Sequence, residues 1–238
     1  GTSPSGSEKV NMENLPEIIS AVKKEGKAIV APKRMRVTYT LTVDTNAVPA
    51  GKIIRCWLPY PRQDQARQQD VKFISASEPQ YTFSSPECRH STLYMEKRAV
   101  EGEPTVFSET FEFTANGEWH NLKPEDVQPY DTTTALYKEY TAEREKHIVF
   151  SPRLRELAAK LTAGETNPYL KAKRIFRWVN DNFPWASARE YSTIENIPEY
   201  VLDNRHGDCG QVSLLFITLC RISGIPAHFQ SGFCLLYT

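Results

Sequence analysis

The sequence predicts an α+β chain: an antiparallel β-sandwich over about residues 34–116, followed by a helical lobe from residue 151 onward. Three observations carry that expectation. From Met35, apolar and polar residues alternate: Met35, Val37, Tyr39, Leu41 and Val43 against Arg36, Thr38, Thr40 and Thr42. This period of two is the pattern of a half-buried strand. Further strand-like runs follow at 52–58, 71–77, 92–99 and 105–114, with turn-rich pieces and no helical pattern between them. Strands that succeed one another without helices pair antiparallel and close into a sandwich. Beyond Pro129 the apolar spacing becomes helical.

Each element has its own local reason. Asn14 precedes Leu15, Pro16 and Glu17, so a short helix is expected with Asn14 as cap, Leu15, Ile18, Ile19 and Val22 as its apolar face, and Gly26 as its stop. Ser151-Pro152 starts a helix to about Leu161, with Leu154, Leu157, Ala158 and Leu161 on one side. Asn167-Pro168 starts another to about Asn182, turning Leu170, Ile175, Trp178 and Val179 inward. A short helix or loop is expected at 197–202. The domain reading is therefore a tail and short helix at 1–33, a β-sandwich at 34–116, a linker at 117–150 and a second domain at 151–238.

Composition narrows the function classes. The chain has 238 residues, with 29 basic and 29 acidic side chains, so no global field draws it to nucleic acid. At 40% hydrophobic and 11% aromatic residues it can build real cores. No apolar run is long enough to span a bilayer. The small polar opening, Gly1-Thr2-Ser3-Pro4-Ser5-Gly6-Ser7, reads as the remnant of a processed leader or tag, which points to an exported protein. Five cysteines leave at least one unpaired within the chain. Cys56, Cys88 and Cys234 read as small buried residues or bystanders, and a Cys56–Cys88 disulfide would suit an oxidising compartment.

The chemistry concentrates after residue 204. Arg205-His206-Gly207-Asp208-Cys209-Gly210 precedes a helical run of Val212, Leu215, Phe216, Leu219 and Ile222, which Gly224 and Pro226 stop. Cys209 is thereby placed at a helix N-terminus, where unpaired amides and the helix dipole stabilise a thiolate. Gly207 is expected to permit a sharp turn, and Gly210 to leave room for a substrate carbonyl beside the sulfur. A first-turn amide would serve as oxyanion donor. Asp208 reads as a helix cap and Cys220 as core.

The string Gly207-Asp208-Cys209-Gly210, Leu215-Phe216, Leu219-Cys220-Arg221, Gly224-Ile225-Pro226-Ala227-His228 and Gly232-Phe233 resembles the transglutaminase-like superfamily in order and spacing. The resemblance covers about residues 150–238 and implies a partial papain-like core in which Cys209 is the nucleophile and Arg221 a structural residue at the helix end. The preceding sandwich resembles the β-domain ahead of this core in bacterial members. The family often holds its oxyanion with an aromatic or amide side chain upstream of the helix. Trp185, Tyr191 and Gln211 are the residues to which this role would carry over, although Trp185 equally fits core packing. The implied activity is thiol-dependent amide hydrolysis or acyl transfer on a peptide or protein amide, with no cofactor and no metal. A peptidase or amidase acting on peptides, including cell-wall peptides, fits better than a crosslinking enzyme.

Two features depart from the simple reading. The family's catalytic His and Asp follow the Gly-Phe, which places them beyond Thr238, and none of the five histidines stands at the matching position. The expectation is that the chain as given is inactive, and that its last strand, 227–236, offers an edge for self-association. The alternatives are a non-catalytic binding or scaffold module of the same fold, or a structural zinc site formed by His206, Cys209, His228 and Cys234.

Overall fold

The computed structural model describes residues 14–88, 90–187 and 189–231. The chain divides into two compact units between His120 and Asn121, and the α+β expectation holds.

The first unit opens with helix α1 (Leu15–Glu25), followed by strands β1 (Ile29–Val43), β2 (Ile53–Pro59), β3 (Gln68–Ala76), β4 (Tyr81–Phe83), β5 (Thr92–Arg98) and β6 (Thr105–Glu118). Two three-stranded antiparallel sheets form, in the orders β1-β6-β3 and β2-β5-β4. Their inner faces share one apolar layer. Cys56 and Leu58 of β2 and Leu93 and Met95 of β5 meet Phe107 of β6, with Tyr39 and Phe73 packed against them. Removing such side chains from water is the main drive for the two sheets to close on each other.

Several boundaries differ from expectation for identifiable reasons. β1 begins at Ile29 rather than residue 34, because an irregularity between Val30 and Lys33 interrupts the alternation. Ala31 sits there with φ 53°, a bulge conformation that the period-two pattern cannot reveal. β4 is only three residues long and lies inside a turn-rich stretch. Gly26 closes α1 as expected, in the left-handed region at φ 67°. Asn14 makes no side-chain cap, and its Oδ1 instead accepts from Lys33 Nζ at 3.3 Å. The Cys56–Cys88 disulfide that an oxidising compartment would suit is not formed: Cys56 is buried in the β-core, Cys88 is exposed, and both are free thiols. Of the two readings, Cys56 is the small buried residue and Cys88 the bystander.

The second unit contains a 3₁₀ turn (Pro124–Asp126), α2 (Ala135–Thr141), α3 (Pro152–Thr162), α4 (Pro168–Asn182), a second 3₁₀ turn (Tyr191–Thr193), α5 (Ile197–Asn204) and α6 (Cys209–Ile222). The caps act as their sequences indicate. Ser151 Oγ accepts from Leu154 N, Asn167 Oδ1 accepts from the amides of Tyr169 and Leu170, and Asn196 Oδ1 accepts from Glu199 N. One core joins all four longer helices through Leu154 and Ala158, Ile175 and Val179, Ile197 and Val201, and Leu215 and Leu219. Gly224, at φ 75°, ends α6, with Ile225 N donating to Cys220 O at 2.9 Å and Gly224 N to Arg221 O at 3.0 Å.

Of the stretch expected as a linker, residues 117–120 continue β6 and the first unit, and residues 121–150 fall in the second. Tyr137 of α2 donates from its hydroxyl to Gly224 O at 3.2 Å, and Ala227 N donates to Tyr140 O at 3.0 Å. Only seven residues long, α2 leaves Leu136 exposed, so it carries no amphipathic pattern to read. Residues 227–231 have no regular secondary structure. The rest of the strand expected over 227–236 lies outside the described residues.

Candidate active site

The turn that presents Cys209 is built from both sides. On one side, α5 ends at Arg205, which takes a left-handed conformation at φ 60° with its N–H on Val201 O. Its guanidinium lies 4.9 Å over the Phe183 ring and donates to Asn182 Oδ1 at 3.1 Å. On the other side, the chain leaving α4 runs parallel to the turn. Trp185 bridges Gly207, with Ala186 N donating to Gly207 O at 3.0 Å. This pairing brings Trp185 beside the cysteine turn. Its side chain is 70% exposed, so it does not serve core packing.

Asp208 caps α6 in a reciprocal box. Gln211 N donates to Asp208 Oδ1 at 2.8 Å, and Asp208 N donates to Gln211 Oε1 at 3.2 Å. The Gln211 side chain is 1% exposed and its Nε2 donates to Arg189 O at 3.4 Å. Both ends of its carboxamide are engaged inside the turn, with one of the two Nε2 protons committed to Arg189 O. Gly207 has a role other than the one expected. A Cβ there would sit 3.1 Å from Gln211 Cβ and Oε1, so the glycine makes room for the capping glutamine; its φ is not left-handed.

Gly210 likewise answers to a neighbour rather than to substrate. A Cβ at this position would overlap the Tyr191 hydroxyl oxygen and lie 3.2 Å from Tyr191 Cζ. That hydroxyl donates to Asp208 Oδ1 at 2.5 Å. Burial first, then the Asp208 hydrogen bond, pushes the Tyr191 hydroxyl well above the ordinary phenol range, with Cys209 adding to the same shift. Its proton therefore stays in place and is committed to Asp208. Sequence reading had no means of finding this contact, because Tyr191 and Asp208 are 17 residues apart and joined only by the fold.

Cys209 is exposed and is the first residue of α6. The first amides of a helix lack intrahelical acceptors. Asp208 takes those of Gln211 and Val212, through Oδ1 and its carbonyl respectively. Among the described residues the amides of Cys209 and Gly210, the first two of α6, have no acceptor and remain as donors at the helix start. That combination can bind an oxyanion as it forms on a carbonyl attacked by the thiolate.

The residues of the second unit that sequence reading weighed for other roles fall elsewhere. His228 stacks on Tyr140 at 4.8 Å. His147 accepts from Ile197 N at 3.4 Å, and burial lowers its pKa. His206 has a buried Nδ1 without a hydrogen-bond partner. Among the described residues none of these imidazoles is hydrogen-bonded to Cys209, and no three His, Cys, Asp or Glu side chains gather as a metal site. Cys234, the fourth ligand of the zinc alternative, lies outside the described residues.

The sequence profile of the transglutaminase-like superfamily matches residues 155–237. This segment is a transglutaminase-like domain. Its Cys209 turn, α6 and the Gly224–His228 segment all fall inside the match. A solved structure from Cytophaga hutchinsonii, described as a "Putative Cysteine Protease", superposes with a TM-score of 0.62 at 18% identity. The superposition covers 83% of this chain and 66% of that one, so the chain spans about two thirds of its length. At this identity the likeness is one of fold. No curated protein matches the chain.

Within the transglutaminase-like domain Cys220 and Arg221 are both structural. Cys220 is 1% exposed, and burial pushes its thiol up to about 12, which keeps it protonated and inert. Arg221 is buried and donates from Nε to Ala227 O at 2.8 Å and from Nη1 to Ala142 O at 2.8 Å and Glu139 O at 3.3 Å.

Proposed function

We propose that the protein is a thiol-dependent amide hydrolase or acyl transferase in which Cys209 is the nucleophile. The observation that supports this is an exposed cysteine at the first position of α6, with the amides of Cys209 and Gly210 free at the helix start, inside a transglutaminase-like domain. The sulfur bonds to the carbonyl carbon of a peptide amide and the carbon–nitrogen bond breaks. The departing amine takes a proton from a histidine oriented by an aspartate, the arrangement that the family resemblance implies. Water or an amine then releases the acyl group and restores the thiol. The two first-turn amides stabilise both tetrahedral states, and exposed Trp185 offers an aromatic wall next to the turn. Peptides, including cell-wall peptides, are the substrates, and export to the periplasm, surface or medium belongs to the same proposal. So does self-association through the segment that follows α6.

Hydroxylamine intercepts a thioester whichever acceptor is natural, so hydroxamate formation from a panel of peptide amides tests the reaction class. A form that carries the implied histidine and aspartate is expected to form hydroxamate, and its Cys209→Ala variant to form none. Equal product from the two proteins would contradict the proposal.

A further inference from the structure

An N-cap side chain can take the amide of the second or of the third residue of its helix. At the start of α6 the choice has a chemical consequence, because the second residue is Gly210 and the third is Gln211. Asp208 takes Gln211 N through Oδ1 at 2.8 Å, and among the described residues Gly210 N has no acceptor. A carboxylate has two acceptor oxygens, so a rotation of this group would let it take Gly210 N as well. Cap and oxyanion would then compete for one amide.

Two contacts hold the carboxylate in its present setting. Tyr191 donates its hydroxyl proton to the same Oδ1 at 2.5 Å. Gln211 Oε1 accepts from Asp208 N at 3.2 Å, which fixes the backbone of the capping residue. The 3₁₀ turn that carries Tyr191 is pinned in its own right. Arg189 O accepts from Gln211 Nε2 at 3.4 Å, Arg189 Nε donates to Thr193 Oγ1 at 3.0 Å, and Glu190 Oε1 accepts from Ser192 N at 3.3 Å. The hydroxyl fills the space that a side chain at position 210 would occupy, so it stands against the residue whose amide is kept open.

We propose that Tyr191 is a positioning residue for the oxyanion site: by holding Asp208 Oδ1 on Gln211 N, it keeps the capping carboxylate off Gly210 N. This rests on the reading of Cys209 as nucleophile. The phenol is not itself an oxyanion donor, because its one proton is spent on Asp208. It acts through the orientation of the cap, and Gly210 is a glycine so that the hydroxyl can reach it.

Two reagents for Cys209 separate this role from a merely structural one. The thiol adds reversibly to the aldehyde carbon of N-acetylglycinal and its proton passes to the carbonyl oxygen, so the hemithioacetal places an oxygen where an oxyanion would form. Iodoacetamide alkylates the same sulfur and leaves no oxygen on the attacked carbon. In Tyr191→Phe the aldehyde is expected to bind about tenfold more weakly, part of the about 10²–10³ that one oxyanion donor contributes to turnover, while alkylation stays within about twofold of wild type. Asparagine caps through a single oxygen, so in an Asp208→Asn background the same Tyr191→Phe change should leave both reagents unaffected. If Tyr191→Phe does not fold, Gly210→Ala takes its place, since the added methyl displaces the hydroxyl from Asp208. The same split is expected, and it should vanish in the Asp208→Asn background, where obstruction by the methyl itself would persist. Equal losses with both reagents, an unchanged aldehyde affinity, or a loss that survives in Asp208→Asn would each overturn the proposal. Wild-type protein that reacts with neither reagent at Cys209 would overturn the nucleophile assignment and the proposal with it, a result distinct from the other three.

Discussion

Arg221→Ala is expected to destabilise the second unit by about 3 kcal/mol, since hydrogen bonds from charged donors contribute about 1.5–3 kcal/mol each. One guanidinium serves the carbonyls of Ala227, Ala142 and Glu139, and so ties the segment after α6 to the end of α2. Its plane also lies 5.9 Å from the Tyr140 ring centroid. Arg221→Lys should recover about 1 kcal/mol or less, because an ammonium cannot reproduce the planar fork. Urea unfolding of the three proteins checks this. A loss below about 1 kcal/mol for Ala, or full recovery with Lys, would show that the carbonyls are satisfied in another way.

The second large effect lies in the β-unit. Glu109 on β6 is 1% exposed, and neither carboxylate oxygen has a hydrogen-bond partner. Its cross-strand neighbours are Tyr39 and Ala76. Cys56 and Tyr60 are the titratable groups that feel its charge; burial, then Glu109, raises both. Desolvation pushes the Glu109 carboxyl from 4.5 up to about 7. A folded-state pKa above the unfolded value means that the native state binds more protons between the two. Stability is therefore full below pH 4.5 and falls as pH rises to about 7. The total loss is about 3 kcal/mol, at 1.36 kcal/mol per pKa unit. Glu109→Gln should abolish this slope and be more stable than wild type at pH 8.5 by about 2 kcal/mol. Unfolding midpoints at pH 5 and 8.5 test it, and parallel pH dependences in the two proteins would contradict it.

Much of this architecture was legible in local sequence because local chemistry decides it. Ser151-Pro152 and Asn167-Pro168 cap their helices through their own side chains. The alternation from Met35 to Val43 marks β1 because Met35, Val37 and Tyr39 pack against the core, although Leu41 is exposed. What escaped was decided by contacts distant in sequence or by backbone irregularity. The bulge at Ala31 hid the first turn of β1, and α2 is held by Tyr137 and Arg221 rather than by an apolar stripe of its own. At the site, the position of Cys209 followed from Gly-Asp-Cys-Gly heading an apolar helical run. The partners did not. Gly207 and Gly210 looked like residues for flexibility and substrate access, yet both make space for side chains, Gln211 and Tyr191, that the fold brings against them.

The central claim is that Cys209 is a chemically special thiol, and the chain contains its own control. Cys88 is exposed as Cys209 is, but it lies in an irregular loop rather than at a helix start. Limiting iodoacetamide at pH 6.5, followed by peptide mapping of the native protein, separates exposure from activation. The account predicts that Cys209 is labelled first, about tenfold or more ahead of Cys88, as expected where helix amides stabilise the thiolate. Buried Cys56 and Cys220 should stay unmodified until the protein unfolds. Labelling of Cys88, or of any other cysteine, ahead of Cys209 would contradict it.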